Sequence, residues 1–107
     1  MNKAMIALIG IIMVTAVMAN PVSDISRSKA KADLKASLEK KYNNSYSLIE
    51  TLLNAGMKSY DELCDVPDTK VDNDILEGLL KKYYPSFSLI QTLYDSNKKS
   101  YERLHAE

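Results

Sequence analysis

The sequence predicts an all-α protein: a small helical bundle of two tandem repeats of about 41 residues, preceded by a signal peptide. Three observations carry that expectation. Shifted by 41 residues, Asp33–Asp65 lies on Asp74–Ala106 without a gap, and 15 of the 33 positions are identical. Within each copy the apolar residues recur at helical spacing rather than alternating. Residues 1–19 have the make-up of an export signal. A fixed period in this range marks a duplicated supersecondary unit.

The amino terminus comes first. Met1–Lys3 is a short basic stretch, Ala4–Val14 is apolar apart from Gly10, and Val17 and Ala19 stand at −3 and −1 of a small-residue cleavage site. The apolar run is short for a bilayer, which needs ~20 residues. Cleavage is therefore expected after Ala19, leaving a secreted or periplasmic chain with no membrane attachment. No cysteine stands at the cleavage point to carry a lipid. Hydrophobic residues make up 46% of the whole chain and about 39% once residues 1–19 are removed, an ordinary value for a soluble protein. Residues 20–30 read as a flexible amino-terminal segment and 31–107 as the helical domain, with repeats at 33–65 and 74–106.

Each copy opens on a helix. Leu34, Leu38 and Tyr42 are spaced i, i+4, i+8 and are matched by Ile75, Leu79 and Tyr83, which lays one apolar stripe on one face. Lys40-Lys41 and Lys81-Lys82 end these helices, where cations favour the negative end of the helix dipole. Asn43-Asn44 and Pro85 then stop them. The second helices start at Ser47 and Ser88, each with Glu or Gln three residues on, the capping-box pattern. Gly56 and Asn97 share one repeat position and are the types that best tolerate a left-handed helix end. The expectation is a break there and a short third helix from Ser59 and Ser100, giving about three helices per copy.

One asymmetry bears on architecture. Lys35 and Glu39 become Leu76 and Leu80, so residues 72–84 carry a wider apolar stripe and are expected to form the central helix. The piece LLNAGMKSYDEL at 52–63 resembles the helix–glycine-turn–helix of helix-hairpin-helix folds, which grip nucleic-acid backbone. The second copy, LYDSNKKSYERL, lacks the glycine, and the likeness is one of turn geometry over a dozen residues.

Composition closes off several functions. Fourteen basic against fourteen acidic side chains leave no excess cation for nucleic acid. One cysteine and one histidine exclude a disulfide framework and His-pair metal sites. The acidic stretch Asp61–Glu77 lacks EF-hand spacing and its glycine, and reads as a solvated linker whose Asp72 and Asp74 sit in a helix first turn. There is no phosphate loop and no nucleophile motif, so neither a catalytic residue nor a cofactor or metal is expected. Asn43-Asn44-Ser45 is a glycosylation sequon in form.

What remains is binding. Tyr84 and Tyr94 are aromatic only in the second copy, and with Lys81 and Lys82 they form the candidate partner-binding patch. Cys64 is the candidate intermolecular thiol. The function expected is a non-enzymatic protein-binding module, of which an inhibitor or immunity-type factor is one concrete form. The alternative is a self-assembling repeat protein of the cell envelope.

Overall fold

The computed structural model describes residues 20–106. The expected signal peptide, 1–19, lies outside them. Among the described residues four helices follow one another: α1 (Arg27–Tyr42), α2 (Tyr46–Cys64), α3 (Lys70–Tyr83) and α4 (Phe87–Leu104). The fold is an all-α bundle, with no strand among the described residues. No helix among them is long and apolar enough to cross a membrane.

The helix ends follow local chemistry. Ser26 caps α1 by accepting from the Lys29 N–H at 3.2 Å, and Thr69 caps α3 by accepting from the Asp72 N–H at 3.1 Å. Lys40-Lys41 and Lys81-Lys82 occupy the last turns of α1 and α3, as expected. Asn43, at φ 45°, supplies the left-handed residue that turns the chain from α1 into α2. The capping boxes at Ser47 and Ser88 do not form. Both helices begin earlier, at Tyr46 and Phe87, behind Ser45 and Ser86, whose side chains make no cap hydrogen bond.

The predicted third helices are absent, because α2 runs unbroken through Gly56 and α4 through Asn97. No glycine among the described residues has a positive φ. Gly56 answers a different need: a Cβ there would lie 2.4 Å from Leu34 Cδ2. The glycine lets α1 approach α2 closely; it does not end a helix, and the turn likeness at 52–63 disappears with it. Residues 20–26 are packed as well. Val22 is fully buried, and the Asn20 side chain donates to the Leu63 carbonyl at 2.9 Å and the Val66 carbonyl at 3.3 Å, while α1 already begins at Arg27.

The helices pack in the order α1–α2–α4–α3. The expectation that 72–84 would be central is overturned, since α3 packs against α4 alone and the middle positions belong to α2 and α4. The wide stripe of α3 leaves Ile75, Leu80 and Tyr83 only half-buried around a buried Leu76 and Leu79. Phe87 joins the two hairpins. It is fully buried, with Tyr60 edge-on at 5.3 Å and Tyr84 edge-on at 5.6 Å.

Candidate functional site

Two constellations could carry function, and the first is polar. Asp72 is 1% exposed on the first turn of α3. One of its oxygens accepts from the Tyr94 hydroxyl and the Lys98 ammonium, each at 2.7 Å, and the other from the Thr69 hydroxyl at 2.8 Å. Burial opposes ionisation most strongly here, yet the donors from Lys98, Tyr94 and Thr69 together outweigh it and hold the carboxyl below its ordinary pKa. Burial, then the bond to Asp72, pushes the Tyr94 hydroxyl up. A carboxylate so fully supplied with donors is a pin between α3 and α4. It has no free oxygen poised for chemistry, and it corrects the view of Asp72 as part of a solvated linker.

The candidate patch is divided by this arrangement. Tyr94 is 8% exposed and turned onto Asp72. Tyr84 is half-buried, donates to Asp33 on α1, and has Lys29 Nζ 5.8 Å from its ring centroid. Burial, then that carboxylate, pushes Tyr84 up to about 12. Lys81 and Lys82 remain exposed at the end of α3. Cys64 is half-buried, and burial raises its thiol against a hydrogen bond with Tyr60 that lowers it, while Asp61 and Asp65 raise it further. That environment disfavours the reactive thiolate. Among the described residues no group of three or more His, Cys, Asp or Glu converges to hold a metal.

The second constellation is a cleft of mixed lining, with Asp74, Lys82 and Asn97 beside Ile75, Leu79 and Leu93. An open cleft of about 470 Å³ runs between α3 and α4, walled by Ile75, Leu79 and Tyr83 on one side and Leu93 and Asn97 on the other. Lys82 stands at its rim. Beyond it, Val71, Tyr101 and Leu104 line a continuation of the same side, with Leu104 80% exposed. Tyr101 stacks on His105 at 4.1 Å.

The matching cleft between α1 and α2 keeps a smaller free space, about 280 Å³, because the start of α4 forms one of its walls. Its walls include Leu34, Leu38, Leu52 and Gly56, and residues 86–89 at the start of α4 lie across them. The one signal that could have pointed to the open cleft was the replacement of Gly56 by Asn97, and its meaning depends on where Leu34 and Ile75 sit. No protein-family model, no curated protein and no solved structure matches the chain.

Proposed function

We propose that this chain is an exported, non-enzymatic helical module that works by docking protein, and that its docking face is the α3–α4 cleft. The repeat in its sequence supports a further reading, that each helical hairpin is one copy of a duplicated unit. The observation that carries the docking proposal is the contrast between the clefts. The first turn of α4 walls the α1–α2 cleft and narrows it, while the α3–α4 cleft, lined at the equivalent positions, is walled by its own two helices alone. The occupant it fits is therefore an apolar helix start. An inhibitor or immunity-type factor is one concrete form of such a module, suggested by its size and its expected export. The one histidine, the lack of a nucleophile motif and the saturation of Asp72 by its donors support the non-enzymatic reading.

A photo-reactive side chain placed at Asn97, exposed within the cleft, tests this in the exported protein. A discrete cross-linked adduct is expected from Asn97 and none from the same probe at Lys31, exposed on α1. Equal labelling at both positions, or none at either, would remove the docking reading.

A further inference from the structure

The open cleft has a residue-by-residue twin, and against that twin the chain already packs a turn of its own. At the 41-residue offset, Leu34, Leu38, Leu52 and Gly56 correspond to Ile75, Leu79, Leu93 and Asn97. Lys41 and Tyr42 on the first cleft likewise become Lys82 and Tyr83 on the open one. What closes one side of the first cleft is the Ser86–Leu89 turn, of which Phe87 is fully buried. The same offset carries that turn back to Ser45–Leu48, which reads Ser-Tyr-Ser-Leu against Ser-Phe-Ser-Leu. Here the aromatic residue is at the surface: Tyr46 is 70% exposed where Phe87 is fully buried. The molecule thus presents an unfilled socket at one end and an unseated plug at the other.

We infer that the occupant of the α3–α4 cleft is the Ser45–Leu48 turn of a second copy of this chain. Successive chains then stack head to tail through the contact that already joins their own two hairpins. This rests on the docking reading above and names its partner.

The polar contacts around the internal joint carry across with improved charge. Inside the chain, the Gln91 side-chain amide donates to Glu62 at 2.5 Å and Ser88 meets Ser59 at 3.4 Å. At the same offsets, the joint between chains sets Glu50 opposite Arg103 and Ser47 opposite Ser100. A neutral–acid pair becomes an acid–base pair, and both Glu50 and Arg103 are exposed. The aromatic contact has a counterpart too. Phe87 is edge-on to Tyr60 within the chain, and Tyr46 would meet Tyr101 between chains. Plug and socket are different surfaces, so the contact is heterologous. It generates an open filament, or a ring if the rotation closes.

The test uses full-length chain purified after export, with mass followed by sedimentation over a wide concentration range. Wild type is expected to grow beyond a dimer as concentration rises. Tyr46→Asp removes the plug and Asn97→Arg blocks the socket, both at exposed positions, and each variant alone should remain a monomer. Mixed, they should form a dimer that does not grow, since each supplies the working half the other lacks. Glu50→Arg and Arg103→Glu should each weaken assembly by about tenfold or more, and the double reversal should restore it. Strict monomers at every concentration, or assembly that survives Tyr46→Asp and both single reversals, would overturn self-stacking. If the chain stays monomeric while the Asn97 probe still gives a specific adduct with another protein, the docking reading stands and self-stacking alone falls. If neither assembly nor an adduct appears, both fall.

Discussion

The α1–α2 seam and the α3–α4 seam carry similar sequences and each is bridged by an ion pair, but Arg27–Asp61 lies exposed at the edge of the first while Asp72 is buried within the second. In the first, Gly56 admits Leu34 and the neighbouring position is Met57, 4% exposed, so the joint is close and apolar. In the second, the same two positions are Asn97 and Lys98, and Tyr94 stands where the first has Leu53. The position that admits Leu34 in the first seam thus carries a side chain in the second. The buried face of α3 runs through Asp72, Leu76 and Leu79, whereas that of α1 runs through Ala30, Leu34 and Leu38, equivalent to 71, 75 and 79. The helix has in effect turned by about one residue position at its amino-terminal end. That turn buries Asp72 on its donors and leaves Ile75 at the wall of the open cleft. A buried charged pair joins Leu76 and Leu79 in holding the second seam, and an open cleft lies beside it.

The largest expected effect sets Phe87 against Tyr46, the two occupants of one repeat position. Phe87→Ala empties the joint between hairpins and should cost about 3–5 kcal/mol in urea denaturation of dilute protein. Tyr46→Ala, at a surface site, should change stability by less than about 0.5 kcal/mol. Equal costs would mean that the two helix starts are not used differently.

Next is Asp72. Asp72→Ala strands Tyr94 and Lys98 and should cost about 2–3 kcal/mol, while Lys31→Ala at the matching position of α1 should be near neutral. The acid dependence has a definite sign. Because folding lowers the Asp72 pKa below 3.8, its contribution is complete above that value and is lost as pH falls through the folded pKa. Hydrogen exchange on acidification should therefore open α3 before α1. Asp61, held low by its hydrogen bonds from Arg27, and Asp33, held low by Lys29 and then Tyr84, titrate with the same sign. Both are solvent-accessible, so added salt should remove their share and leave that of Asp72. Uniform opening of both seams at high salt would contradict the contrast drawn between them.

The smallest effect exchanges the two residues at the seams. Gly56→Asn forces Leu34 out of its place and should cost about 1–2 kcal/mol despite the better helix propensity of asparagine. Asn97→Gly, on an exposed face, should cost about 0.5 kcal/mol through propensity alone. A Gly56→Asn chain as stable as wild type, measured by thermal unfolding, would show that the close approach at Leu34 is not needed.

Much of the fold was legible because it is local. Apolar spacing, the paired lysines and the Asn43-Asn44 and Pro85 stops are read from neighbours within a turn or two, and they place the ends of α1 and α3 correctly. The candidate site was less legible. Tyr84 and Tyr94 were singled out for being unique to the second copy, but uniqueness says nothing about direction, and both hydroxyls turn to carboxylates of the chain itself. Tyr46, Tyr101 and Leu104 are exposed although the residues matching them in the other copy, Phe87, Tyr60 and Leu63, are buried. An internal repeat hides the difference between a middle and an end.

The sequence by itself determined that the chain is helical, where α1 and α3 end, and that one pattern is used twice, since each of these depends on short-range backbone preference and side-chain periodicity. Tertiary structure alone decided that α2 and α4 are central, that Gly56 serves an approach rather than a turn, and that Asp72 is buried. Each of these turns on what faces the residue across a helix seam. Glycine suits a left-handed turn and a close contact equally well, and only the position of Leu34, 22 residues earlier in the chain, tells the two apart.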